Sequence, residues 1–171
     1  MNAHTRLRTT TASRWLIAFG ALLIFGALNF AIVGKERIKH SGEVVYLALE
    51  PVDPRSLMQG DYMALRFALV RQLEAPAGAE SVRREGELAR APIALDERRV
   101  AQLADHTTVS APLTLRYRIR QGRVWLGTNA FFFQEGDAER FNGARFGEFR
   151  VDRDSGEAVL VGLRGAQLEP L

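Results

Sequence analysis

LTLRYRIR, residues 113–120, is the stretch whose reading decides the fold. Leu113, Leu115, Tyr117 and Ile119 alternate with Thr114, Arg116, Arg118 and Arg120. A period of two puts the first set on one face of a strand and the second on the other. Gln121-Gly122 make a turn and RVWLG returns, so the segment is a β-hairpin with an apolar inner face and a basic outer one. Downstream, NAFFFQEGDAERF (129–141) opens as a buried aromatic strand and closes as a loop or short helix. FGEFRVD and EAVLVGL form a second hairpin about Asp154-Ser155-Gly156.

Upstream the signals are shorter. EVVYLALE (43–50) is β-branched and aromatic, as a buried strand should be, and the two prolines of PVDPR end it in a turn. GDYMALRF and the residues to Val70 form another strand, with Met63, Leu65, Phe67 and Leu69 on one face. Residues 71–92 mix proline, glycine and charge and are expected to be a long loop with at most a helical turn. PIAL and VAQLAD are short strands around the polar DERR. About seven short strands separated by turns predict a mainly β, β-rich α+β domain over residues 43–171. Its expected form is a compact antiparallel barrel or sandwich with one or two short helices.

The N-terminus has a different composition. Residues 15–33, WLIAFGALLIFGALNFAIV, are uncharged, and at 1.5 Å per residue they span roughly 28 Å, the thickness of a bilayer's hydrocarbon core. Trp15 suits the interface, Arg14 brackets one end, and Lys35, Arg37 and Lys39 bracket the other. A cleaved signal peptide would have a shorter apolar stretch and a small-x-small cleavage site, which AIVGKERIKH supplies poorly. The expected order is a cytoplasmic tail (1–14), a transmembrane helix (15–33), a juxtamembrane linker (34–42) and the β-rich domain. The basic flanks are balanced. The orientation therefore rests on the short tail staying inside while the long domain crosses, which places the domain outside the cytoplasmic membrane. Gly26 and Asn29 share a helix face with Leu22 and Val33. That face suits a helix–helix contact with another copy or a multi-pass protein, or else Asn29 lies shallow enough to meet water.

The charge argues against a nucleic-acid partner. The whole chain has 23 basic and 20 acidic residues. Arg6, Arg8 and Arg14 stand in the first 34 residues with no acid, so the surplus belongs to the tail and the domain is balanced. Cysteine is absent, which removes disulfides, thiol nucleophiles and cysteine metal sites. Lysine occurs at Lys35 and Lys39 only, so a lysine-assisted serine peptidase is excluded from the domain. His4 and His40 lie on opposite sides of the apolar run, and Asp105-His106 with Ser110 has no triad geometry, being adjacent in sequence. There is no phosphate-cradling glycine loop, and no metal or cofactor is expected.

PVDPRSLMQGDYMALRF resembles the signature of the GDYXXLXY family, with Phe67 in place of the final tyrosine. NAFFFQEG and ARFGEFRVD…GEAVLVGLR resemble that family's later blocks. The resemblance implies a membrane-anchored protein, often encoded beside or fused to a multi-span membrane protein, and it brings no catalytic residues. Its motif marks Gly60, Asp61, Tyr62, Leu65 and Phe67, with Arg55, Glu135 and Gly136 as further structural or binding candidates. Asp61 has two readings. It accepts backbone N–H groups at a turn and pairs with Arg55, or it works with Glu135 as a carboxylate pair in a hydrolase. Glu135 in turn has a simpler role, capping the helix that begins at EGDAERF. Arg116, Arg118 and Arg120 face either anionic headgroups or the water beside an edge strand. The expected function is a membrane-tethered, non-enzymatic extracytoplasmic module with an integral membrane partner.

The two readings of Asp61 separate by stability. Unpaired turn N–H groups cost about 1–3 kcal/mol. Asp61→Ala is therefore expected to lower the melting temperature by roughly 4–8 °C per kcal/mol, or somewhat less at this size. An unchanged or raised melting temperature, with the fold intact, would favour the carboxylate catalyst.

Overall fold

The computed structural model describes residues 11–50, 58–59, 62–74, 85–104 and 113–171. They fall into two units, one ending at Arg37 and one running from Ile38 to Leu171.

The first unit is most of helix α1, Thr11–Ser41. Ser13–Ser41 is long and apolar enough to cross a membrane, and its most apolar stretch is entirely exposed. The helix continues through the segment read as a juxtamembrane linker. GKERIKHS is rich in good helix formers, and Lys39 and His40 in the last turn suit the negative end of the helix dipole. It stops at Gly42, whose N–H makes the final bond to the Ile38 carbonyl at 2.8 Å. A Cβ at Gly42 would lie 2.4 Å from that same oxygen, so only glycine closes the helix this way.

The second unit is built from mostly antiparallel strands arranged as a half-barrel, with two short helices among the described residues. β1 (Glu43–Ala48), β9 (Phe146–Val151) and β10 (Ala158–Arg164) form one sheet, with β9 in the middle. β5 (Ala101–Leu103), β4 (Leu88–Leu95), β6 (Leu113–Arg120) and β7 (Arg123–Trp125) form a second, in that order. β2 (Met58–Gln59), β3 (Tyr62–Ala64) and β8 (Ala130–Phe132) form a third. The short helices are α2 (Ala68–Glu74) and α3 (Ala138–Phe141).

The first two sheets join at two points. Tyr46 bridges Val100 and donates to the Arg99 carbonyl at 3.0 Å. At the other side, the Arg116 N–H bonds the Gly156 carbonyl at 2.7 Å, where β7 has already ended. Gly156 has φ +70°, and an added Cβ would lie 3.0 Å from the Thr114 carbonyl, so the β9–β10 turn needs glycine twice over. Asp152 fixes that turn by accepting from the Ser155 N–H at 2.8 Å and its hydroxyl at 2.7 Å. The β6–β7 turn has positive φ at both Gln121 and Gly122, the geometry that matches strand twist. The inner faces bury one core, with Val45, Leu47, Ile93, Leu115, Phe149 and Val151 fully enclosed.

Two expectations change. The strand expected to reach Val70 gives way at Phe67, which bridges Leu49, and α2 follows. Met63, Leu65, Phe67 and Leu69 are all buried as the alternation requires, but Leu69 shares its burial with Leu73, four residues on, which is helical spacing. The expected loop of 71–92 contains the end of α2 and the start of β4 at Leu88. The second half of that strand is the expected PIAL, and Pro92 disguised the part before it. Pro92 sits opposite Thr114, and its carbonyl faces β5, accepting from Ala104 at 3.0 Å. Its missing N–H would have pointed to the same side, at the end of the β5 ladder, where the loss costs least.

Ile38 is 8% exposed, so the second unit begins inside α1. A fragment starting at Ile38 should therefore melt cooperatively and above one starting at Gly42. The difference should be of the order of the 1.5–3 kcal/mol that a buried isoleucine contributes. Equal melting curves would show that Ile38 packs without stabilising the domain.

Candidate functional site

β3 carries the last residues of the signature, and its pleat sorts them. Met63, Leu65 and Phe67 turn inward, whereas Arg66 is exposed and Tyr62 half-buried. β3 pairs with β8 in the register Tyr62–Phe132, Met63–Phe131, Ala64–Ala130. The signature and the aromatic block after Asn129 are thus adjacent strands, a pairing that no local signal predicts. The Leu65 N–H continues it, bonding the Asn129 carbonyl at 2.7 Å. Tyr62 lies 5.8 Å from the ring of Phe132, which is 74% exposed, so the outer side of this ribbon presents two aromatics. Phe67 is core: its ring meets Phe149 edge-on at 5.3 Å.

Arg55, Gly60 and Asp61 lie outside the described residues, and with them the Arg55–Asp61 and Asp61–Glu135 pairings. Glu135 is exposed in the turn after β8, where Gly136 adopts φ +93°. Glu135 does not cap the following helix. The N-cap of α3 is Asp137, two residues later, because the glycine turn delays the helix, and Asp137 makes no side-chain cap bond. Asn29 donates its amide to the Phe25 carbonyl at 2.8 Å, so one N–H is satisfied inside the helix. Its carboxamide oxygen is then the group another helix can use. Around Gly26 an added Cβ would meet nothing within 4 Å, so a second backbone has room to approach there. Among the described residues no group of three or more His, Asp or Glu is placed to hold a metal.

The strongest polar construction is one that local sequence reading missed. Glu148, on the outer face of β9, is 5% exposed. Arg164 of β10 donates to it through Nε at 2.6 Å and through a terminal nitrogen as well, a forked grip on one carboxylate oxygen. Arg150 approaches the other oxygen at 3.7 Å. At the same sheet's end, Glu43 takes Arg99 at 2.8 Å and Arg153 at 2.6 Å. Arg99 holds φ +64° and also donates to the Val44 carbonyl at 2.9 Å, so it ties the β4–β5 turn to β1. The alternation Glu148, Arg150 against Phe149, Val151 was the available signal. It places the ions on one face without naming their partners across the sheet.

The second basic surface is the outer face of β6. β6 lies between β4 and β7, not at an edge, so edge protection does not account for its arginines. Arg116 pairs with Glu157 at 2.9 Å, and Arg120 lies over the Trp125 ring at 5.1 Å.

Glu148 is a structural carboxylate by this geometry. Glu148→Ala should destabilise the domain by about 3 kcal/mol, because Arg164 is left half-buried without its acceptor. Arg164→Met in the same chain should restore part of that loss in a double-mutant cycle read by urea unfolding. Additive losses would show that the forked pair contributes nothing of its own.

A family model described as GDYXXLXY protein matches residues 24–163, from within the apolar helix to the penultimate residue of β10. No curated protein and no solved structure matches the chain. The match takes in the later part of α1, β3 with its aromatic partner strand β8, and Glu148, and on that span the chain belongs to the GDYXXLXY family.

Proposed function

We propose that this protein is a membrane-tethered, non-enzymatic module whose domain stands outside the cytoplasmic membrane and acts with an integral, multi-pass membrane partner. The observation that carries the reading is α1. An apolar helical stretch of this length with none of its residues buried has no stable place in water. A bilayer supplies the missing burial. Within it, Asn29 and Gly26 give the helix a polar group and a close-approach point suited to a neighbouring helix. The domain itself uses these carboxylates for structure, the buried Glu148 and the more exposed Glu43, Glu74 and Glu85 alike. Glu148 and Glu43 are held by arginines, and Glu74 and Glu85 cap backbone N–H groups of β7 and its turn. That arrangement suits a surface that binds rather than a site that turns over substrate.

The reading is tested from the outside of intact cells. The chain has no cysteine, so one placed at Asp154, exposed at the β9–β10 turn, is the sole thiol. It should react with an impermeant reagent before lysis, and a multi-pass protein should co-purify after mild crosslinking. Labelling only after lysis would put the domain on the cytoplasmic side and reject the topology. Recovery of the chain from washed membranes without any integral protein would reject the partner.

A further inference from the structure

We propose that the outer face of the β4–β6–β7 sheet seats against anionic lipid headgroups; the inference rests on α1 spanning the membrane. Strand register puts five arginines on this face. Arg90 stands directly opposite Arg116, Arg120 opposite Arg123, and Arg118 lies between Leu88 and Trp125. Like charges in directly opposed positions destabilise a sheet, so two such pairs, one on each side of the Arg118 row, run against the fold's own interest. Little countercharge relieves them. Glu157 takes Arg116. Arg90 reaches the Asp154 backbone carbonyl at 3.3 Å. Glu85 accepts from the turn N–H groups of Gln121 and Gly122. Among the described residues, the side chains of Arg118 and Arg123 make no ion pair or hydrogen bond.

The β1–β9–β10 face is built the opposite way. Its outer side carries Arg150 and Arg164, but Glu148 sits between them, gripped by Arg164 and approached by Arg150. One face is neutralised from within and the other is left wanting anions.

The chemistry of the row Leu88, Arg118, Trp125 narrows the occupant. An arginine flanked by an exposed leucine and a half-buried tryptophan offers a forked phosphate donor between two groups that favour the interfacial zone. Glu43 follows Val33, the end of the apolar run, by ten positions. On the spanning reading, headgroups are therefore held at high effective concentration around the domain. Each arginine near such a surface is worth about 1 kcal/mol.

The chain has two tryptophans, Trp15 and Trp125. The full chain carrying Trp15→Phe leaves Trp125 as sole reporter, reconstituted in nanodiscs with a headgroup nitroxide-labelled lipid as quencher. Quenching of Trp125 should appear in phosphatidylcholine–phosphatidylglycerol discs and be weak in phosphatidylcholine alone. Added salt should weaken it. Arg118→Gln with Arg123→Gln should lower the docked-to-undocked ratio by about 25-fold, at ~1 kcal/mol per arginine, with no fall in melting temperature. Equal quenching in both lipids, or indifference to the double substitution, would overturn the proposal. So would absence of quenching in either disc, and if the chain still elutes with the discs the spanning reading survives alone. A chain that does not elute with discs would remove both. Salt-sensitive binding of a short DNA duplex by this face, without a lipid response, would assign it to another polyanion and overturn the lipid reading.

Discussion

The edge-on contact between Phe149 and Phe67 is the point on which the domain turns. Phe149 is fully enclosed on β9, the middle strand of its sheet, where it stands in register with Val45 on one side and Leu160 on the other. Phe67 brings the signature segment to it. Gly147 makes that possible, because a Cβ there would lie 3.0 Å from Phe67, 3.1 Å from Phe149 and 3.2 Å from Leu160. The segment from β3 through α2 is thereby fixed against the β1–β9–β10 sheet, and β8 is carried along by its pairing with β3. A tyrosine in place of Phe67, as the family signature has it, would bring a hydroxyl into a position that is 3% exposed. Such a group needs a partner when buried. Phenylalanine removes that requirement, so this chain uses the position for packing alone.

The pleat that builds the core also decides where the charge goes. Arginine is the basic residue of the domain almost without exception, and every second position of β6, from Arg116 to Arg120, hands one to the outer face. A guanidinium stays charged at any pH a cell reaches and forks onto carboxylate or phosphate equally well. The same side chain thus serves two ends. Where the opposite strand supplies glutamate, as β9 does for Arg164, the result is a structural clamp. Where it supplies another arginine, as β7 does for Arg120, the result is a cationic surface.

Period-two alternation made β1, β6, β9 and β10 legible in the sequence, because each carries large apolar residues on its buried face. β4 was legible only in its second half, PIAL; the residues ahead of Pro92 were not, because Ala89 and Ala91 on the inner face are small and, beside a proline, resemble a loop. α2 was hidden because Leu69 fits both the strand alternation before it and the helical spacing to Leu73. Of the candidate site, Tyr62, Leu65 and Phe67 could be placed on faces from spacing alone. Their pairing with β8 could not, because Tyr62 and Phe132 stand 70 positions apart and nothing local links them. The Glu148 clamp was invisible for the same reason: a carboxylate's partners across a sheet depend on register, and register includes the irregularity between Leu160 and Gly162.

That irregularity bears on the balance between the two basic faces. A register slip of one residue flips every side chain of a strand to the other face. β10 changes register after Leu160, and only beyond that point does Arg164 stand on the outer face with Glu148, while Leu163 turns into the core. Without the shift, the apolar end of β10 would face water and Glu148 would lose the arginine that grips it. β6 has no such interruption against β4 or β7, so its arginines stay in unbroken alternation and gather on one side. One strand's bulge therefore closes a buried ion pair, and another strand's regularity keeps a cationic face open. The two outcomes differ by register, not by composition.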